Sequence, residues 1–254
     1  MSFSLRPLAL NNLPPATRWM VLASFGGWVL EMAFGGRLNY YFGLVPALVT
    51  GSGWIWQIFT YIFIHAGFWH FLFNAFMLWM LGSVIEPVLG SRKFIVYFLF
   101  CGAVAALFTV AFSYGSIKPV VGASGAIYGL LYAFAALYPE QTVYMYFLFP
   151  MTARQLVAFL AGLSLVLSFT TPNSGVANFT HLSGLVAGWL YFKVPGWLSR
   201  TRETRYKEEA EEAFREKDRV DAILEKISSK GEGALTAAER RALDAYARSK
   251  GGRA

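Results

Sequence analysis

The sequence predicts an all-α, polytopic membrane protein: a bundle of six hydrophobic helices, a first outer loop embedded in the membrane, and a charged helical tail on the cytoplasmic side. Three observations carry this reading. Of the 254 residues, 56% are hydrophobic and 15% charged, where a soluble domain has roughly 45–50% and 25%; mean hydropathy is +0.45. The charge is segregated, with 26 of the 37 Lys, Arg, Asp and Glu side chains in residues 200–254 and no Asp anywhere in residues 1–199. Apolar runs near the ~20 residues that cross a bilayer recur along the first four-fifths of the chain. This pattern weighs against a water-soluble enzyme. The net charge of +7 divides into +2 for the tail, which mixes 14 basic with 12 acidic side chains, and +5 for the remainder. Positive-inside topology accounts for the +5, so no nucleic-acid partner is expected.

Taken in order, residues 1–16 form a short cytoplasmic N-terminal segment, residues 17–198 the membrane domain and residues 199–254 the tail. The first span, 17–35, includes Glu31 and lacks a small-residue cleavage site, so it reads as a retained helix. Residues 36–67 are long for a loop and largely apolar; Trp54 and Trp56 among Gly and Pro suit the headgroup layer. Further spans follow at 68–88, 94–113, 123–138, 155–170 and 179–195. The fourth and sixth are short, as for helices that begin below the membrane surface at a cavity. The aromatic, Pro-bounded 139–154 connection is expected to run along the inner interface. With the N-terminus inside, Arg6, Arg18, Arg92, Lys93, Arg154 and Lys193 face the cytoplasm and only Arg37 and Lys118 face out, which sets the orientation. In the tail, 200–230 reads as a charged helix with Val220, Ile223, Leu224 and Ile227 on one face. Gly231 to Gly233 ends it, and Thr236 with Glu239 forms a capping box for a second helix. The tail is either a solvated appendage or a docking module for a partner or a second copy.

Ionisable and polar groups inside spans are costly and mark function by default. His70 and Asn74 share one face of the second span, being four residues apart. Ser124 opens the fourth span, and His181 opens the sixth. All three spans present these groups at comparable depth toward the outer side, where they can converge. Gly122 and Gly125 flank Ser124 and permit a tight entry turn. Gly125 with Gly129, and Gly184 with Gly188, are small-residue pairs four apart that let helices touch closely. Packing alone explains each pair, but not why each seam begins within a turn of a nucleophile or base. A Ser–His hydrogen bond needs about 2.6–3.2 Å, and the seams allow that approach. Glu31, Glu86 and Glu140, the carboxylates of the membrane part, are not placed to serve His181, so a dyad is favoured over a triad. Tyr128, one turn after Ser124, either stacks on His181 or simply packs. His70, Asn74 and the Ser124 amide are candidate oxyanion donors, with an interhelical hydrogen bond as the competing role for Asn74. His65 reads as structural within its loop.

Rival chemistries fit less well. Three His are not at metal-ligand spacing, and no HExxH occurs. An aspartyl mechanism lacks its two Asp, and bis-His haem or quinone binding leaves GASG unexplained. The lone Cys101 forms no intrachain disulfide. No metal and no cofactor are expected.

GASGAIYG (122–129), HAGFWHFLFN (65–74) and HLSGLVAG (181–188), on separate spans, resemble the rhomboid family of intramembrane serine proteases, over roughly residues 17–195. Gly82 and Glu86 in LGSVIE also match a family pattern. The resemblance implies Ser124 as nucleophile and His181 as general base and acid. It implies His70, Asn74 and the Ser124 amide as oxyanion donors, Tyr128 packed on the His, and 36–67 as a membrane-embedded loop. It further implies membrane-spanning protein substrates, surrounding lipid, a place in a bacterial cytoplasmic membrane, and an active site toward the outer face. Thr180 stands where the family often has Ala, and Ser183 where Gly is common. The alternative function is a catalytically silent pseudoprotease that binds membrane helices.

Overall fold

A computed structural model describes residues 13–145, 149–170, 175–193 and 219–251. Residues 1–12, with Arg6, and residues 200–218 of the expected tail helix lie outside the described residues. The chain divides into two units, Met1–Trp197 and Leu198–Ala254, each taken separately below.

Helix α1 (Pro15–Phe34) starts with Pro at a position where the missing N–H is no loss. Pro14, which precedes it, has no side chain to cap the helix. The cap comes instead from Glu86, near the end of α5 (Phe68–Leu89). Its carboxylate, 2% exposed, accepts the Ala16 and Thr17 amides at 2.9 and 2.7 Å and the Thr17 hydroxyl at 2.7 Å. The Ser91 hydroxyl adds a fourth bond at 2.6 Å. A negative charge at a helix N-terminus satisfies its free amides and its dipole together. One turn before Glu86, Gly82 leaves room for the Thr17 side chain, which an added Cβ would overlap. Replacing Glu86 with Ala strands these donors and is expected to cost about 3 kcal/mol. Glu86→Gln, which keeps an acceptor oxygen, should lose less. Unfolding of both variants in detergent micelles measures the difference, and equal stability of Glu86→Ala and wild type would contradict it.

The 36–67 segment is built of short helices: α2 (Gly36–Phe42), α3 (Pro46–Ser52), α4 (Gln57–Thr60) and a 3-10 turn (Tyr61–Phe63). Such short pieces do not hold themselves together; side-chain tethers do. Fully buried Gln57 accepts the Val45 amide at 2.9 Å and donates to the Tyr40 carbonyl at 2.8 Å. The Thr60 hydroxyl donates to Phe42 O at 2.7 Å, and Trp56 Nε1 to Tyr41 O at 3.0 Å. Leu44 and Val120 exchange two backbone bonds of 2.8 Å, and the Tyr61 hydroxyl reaches Gly102 O at 2.8 Å.

Helices α6 (Ser91–Phe112), α7 (Ser124–Leu137), α8 (Ala153–Thr170) and α9 (Gly175–Lys193) complete this unit. α7 packs against α5, α6, α8 and α9. It buries Gly125, Ala126, Ile127, Gly129, Leu130, Leu131, Ala133 and Ala135. Its 14 residues rise only about 21 Å, less than the ~30 Å hydrocarbon core. Many outward-facing positions carry large apolar side chains, including Trp19, Met32, Trp69, Phe73 and Phe169, as lipid solvation requires. Among the described residues, α5, α6 and α8 are long and apolar enough to cross a membrane, and α7 is a shorter apolar helix.

Two expectations need correction. The unit is not wholly helical: strands β1 (Thr142–Met145) and β2 (Phe149–Thr152) form an antiparallel hairpin, with Thr142 opposite Thr152, inside the connection expected to run along the interface. Thr142, Val143, Tyr144 and Thr152 favour strand, and Pro139 and Pro150 exclude a continuous helix. Helix α9 begins at Gly175, so His181 lies in its second turn and does not open it.

In the second unit, helix α10 (residues 219–230) ends at Gly231, whose φ of 76° suits glycine. A 3-10 turn (Glu232–Ala234) leads into α11 (Ala237–Gly251). Val220 and Ile223 are buried, but Leu224, expected on the same face, is exposed; it lies about 100° further round the helix than Ile223. Thr236 and Glu239 form the capping box, with Glu239 Oε2 accepting the Thr236 amide at 2.7 Å and Thr236 Oγ1 accepting the Glu239 amide at 3.2 Å. Lys226 Nζ pairs with the same carboxylate at 2.8 Å. The Lys226 ammonium and the Thr236 donors pull the Glu239 carboxyl from 4.5 down to about 2. A depressed folded value gives stability that is complete above the unfolded pKa and is lost as protons bind. The helical signal of residues 219–251 in the full chain, read by NMR shifts, should therefore hold above pH 5 and fall between about 4.5 and 2. Glu239→Gln should remove that transition.

Candidate active site

Ser124 is the first residue of α7, so its own amide and those of the next residues have no acceptor within the helix. The turn before it is fixed by Gly122, whose amide donates to Tyr61 O at 2.9 Å and whose φ is 112°. A Cβ at Gly122 would stand 2.6 Å from His70 Nε2. Both the left-handed backbone and the imidazole therefore exclude any other residue there, and the His70 ring is held beside the start of α7.

His181 is carried to Ser124 by the contact between α7 and α9. A Cβ on Gly184 would fall on the Gly125 carbonyl, and one on Gly188 would lie 2.9 Å from Tyr132 Cβ and 3.1 Å from Gly129 O. At Gly129 an added Cβ would meet Cys101 Sγ at 2.5 Å. The two helices thus touch backbone to backbone, as small-residue seams permit. Ser183 does not spoil this seam, because its hydroxyl folds back onto Phe179 O at 2.7 Å. The outcome is a Ser124 Oγ to His181 Nε2 distance of 2.8 Å. Tyr128 stacks on the imidazole face with ring centroids 4.4 Å apart and planes 6° from parallel. Ser124, His181, His70 and Tyr128 are all partly exposed.

Asn74 is buried and donates one Nδ2–H to the His70 carbonyl at 2.7 Å. That leaves its second N–H available. His65 is fully buried, with Nδ1 3.3 Å from Phe63 O and its ring 5.3 Å from that of His70. The three carboxylates of this unit are engaged elsewhere: Glu86 at the start of α1, Glu140 with Arg154 at 3.0 Å, and Glu31 with Asn39 at 3.3 Å. Among the described residues, no group of three or more His, Cys, Asp or Glu side chains is arranged to hold a metal ion.

Sequence patterns missed the contacts of three further residues beside this site. Thr180 and Thr109 meet hydroxyl to hydroxyl at 2.6 Å behind His181, and Gln57 anchors the loop on which Gly122 rests. A buried Thr or Gln in an apolar stretch was the available signal; its partner was not.

A rhomboid domain model matches residues 52–196, more than half of the chain. The chain belongs to the rhomboid family. A second model, for a family of unknown function (DUF6576), matches residues 200–249. This rhomboid is 30% identical over 158 residues to rhomboid protease GluP of Bacillus subtilis, covering 62% of this chain and 28% of that protein. It is 29% identical over 192 residues to mitochondrial Rhomboid protein 1 of Saccharomyces cerevisiae, covering 74% and 53%. It is 30% identical over 135 residues to rhomboid protease GlpG of Salmonella paratyphi A, covering 53% and 46%. The chain thus spans about half or less of the length of these relatives. This rhomboid is an integral membrane protein with several apolar helices.

Proposed function

We propose that this rhomboid is a serine endopeptidase that cleaves single-span membrane proteins within or beside their transmembrane segment, using Ser124 and His181 as a dyad. The observation that carries the reading is the 2.8 Å contact between Ser124 Oγ and His181 Nε2. In that geometry, Ser124 Oγ attacks the scissile carbonyl as His181 Nε2 accepts its proton. The proton then passes to the leaving amine. Water, deprotonated by His181, attacks the acyl carbonyl, and the proton returns to Ser124 Oγ as the ester bond breaks and the acid leaves. The tetrahedral oxyanion takes hydrogen bonds from the Ser124 amide, the His70 ring and the free Nδ2–H of Asn74. No carboxylate assists, and stacking on Tyr128 fixes the plane of the imidazole. Helices α1, α5, α6, α7, α8 and α9 are the six spans, both termini are cytoplasmic, and the 36–67 segment is embedded in the outer leaflet. This places the dyad toward the outer face of a bacterial cytoplasmic membrane, where a substrate helix unwinds to present its peptide bond. Surrounding lipid is the solvent for the bundle, no nucleic acid takes part, and the tail docks a partner or a second copy.

The test is a fluorophosphonate probe applied to folded protein in micelles, together with a single-span reporter in liposomes. Stoichiometric labelling lost in Ser124→Ala, with reporter cleavage mapped to its membrane segment, supports the peptidase. Well-folded protein that captures the reporter but neither cuts it nor reacts with the probe is a helix-binding pseudoprotease, and the reading fails.

A further inference from the structure

The residue before the base is bonded across the bundle. Thr180 on α9 and Thr109 on α6 place their hydroxyl oxygens 2.6 Å apart, although 71 residues separate them. They are 3% and 1% exposed, so water does not compete for the bond. Each hydroxyl also reaches the carbonyl four residues back, Thr109 to Ala105 O and Thr180 to Val176 O, both at 2.8 Å. Two hydroxyl protons cannot fill three contacts. If both donated backward, two oxygens with no proton between them would face each other at 2.6 Å, so one hydroxyl donates to its own helix and the other across. Burial keeps water from relieving that contact, which favours the shared proton.

Thr180 is also wedged against the start of α7. A Cβ on Gly125 would stand 3.2 Å from Thr180 Cγ2 and 2.9 Å from Ala105 Cβ. Ala105 and Thr109 of α6, Gly125 of α7, and Thr180 and Gly184 of α9 thus meet at one junction. Gly125 follows Ser124, and Thr180 precedes His181. Consecutive residues on a helix point about 100° apart, so fixing the direction of Thr180 fixes that of the imidazole. The Gly184 contact sets how close α9 approaches α7, but a glycine has no side chain to resist rotation. The stack of Phe112 on Phe179, 4.8 Å between centroids, is apolar and tolerates sliding. The threonine pair supplies the directional constraint.

We propose that the Thr109–Thr180 hydrogen bond is a positioning device for the general base, holding the rotation of α9 at which His181 Nε2 faces Ser124 Oγ. It rests on the peptidase reading above. Thr109 and Thr180 touch neither substrate nor the reacting atoms; they act through His181.

The experiment compares wild type, Thr180→Val, Thr180→Ser, Thr109→Val and the double Val variant for reporter kcat and KM, for the rate of fluorophosphonate labelling of Ser124, and for thermal stability. Thr180→Val keeps the shape and removes the hydroxyl. It should lower kcat and labelling rate together by roughly 10- to 100-fold, as expected when reacting groups are misaligned, with KM little changed. Thr180→Ser should restore most of both. Thr109→Val should match Thr180→Val, and the double variant should be no worse than either, because both remove one shared bond. Full kcat in Thr180→Val overturns the proposal. So does an effect confined to KM, or a loss that follows stability and is not rescued by Ser. A wild type that neither cleaves nor labels removes the peptidase reading and this proposal with it. An active wild type with indifferent variants removes this proposal alone.

Discussion

Ser124→Ala is expected to reduce cleavage of a single-span reporter by about 10,000-fold or more, the scale of losing a serine nucleophile. The fold should be undisturbed. The hydroxyl's side-chain partner is His181, and Ala is a good helix former at the first position of α7. His181→Ala should fall to a similar rate. It should also lose on the order of 1 kcal/mol of stability, because the face-to-face contact with Tyr128 goes with it. The double variant should be no slower than either single one, since the two side chains act as a unit. Rates on the reporter, with circular dichroism and melting as fold controls, decide the matter. Cleavage that survives Ser124→Ala in purified protein would mean that another group attacks the peptide bond.

Gly184→Ala is the second large effect, and it acts through packing. The new methyl would fall on the Gly125 carbonyl, which is helix backbone in the first turn of α7 and cannot rotate away as a side chain would. Helix α9 must move off α7, at about 1–3 kcal/mol for an overpacked contact. The displacement is largest where it matters: His181 lies three residues before Gly184, and Ser124 lies one before Gly125. A shift near 1 Å in reacting groups can cost about 100-fold in rate, so activity should fall further than stability does. Gly162→Ala on α8 is the matched control. Nothing lies within 4 Å of the added carbon there, and the better helix propensity of Ala should leave stability equal or slightly higher. If the two glycine variants behaved alike in melting and in reporter cleavage, the close approach of α7 and α9 would not be what holds the dyad.

The helical segments of the first unit were legible because hydrophobic length and charge segregation are local properties, visible without knowing what packs on what. The proximity of Ser124 and His181 was legible for a related reason: polar groups are so scarce in residues 1–199 that those at similar depth had few others to meet. The small-residue seams gave away which helices touch. Long-range polar pairs were hidden. Nothing in the pattern around Glu86 says that it caps a helix 70 residues upstream. Gln57 looks like a stray amide in an aromatic run until Val45 and Tyr40 are seen on either side of it. Thr180 registered only as a departure from the usual residue before the His, since its partner Thr109 lies in another apolar helix. The 142–152 hairpin was masked by aromatic composition, which reads equally as an interfacial stretch. The start of α9 at Gly175 came four residues early, because Asn178 and Thr180 break the apolar run without breaking the helix.

The clasp of Glu86 on the first helix also orders events in time. As the chain is made, the amides of Ala16 and Thr17 leave the ribosome about seventy residues ahead of the carboxylate that receives them. Domains assemble from the N-terminus during synthesis, yet here the earliest helix waits for a later one before its end is sealed. A nascent chain halted before residue 86 should therefore leave that end open to chemical modification and to proteases. One long enough for Glu86 and Ser91 to have left the ribosome should close it.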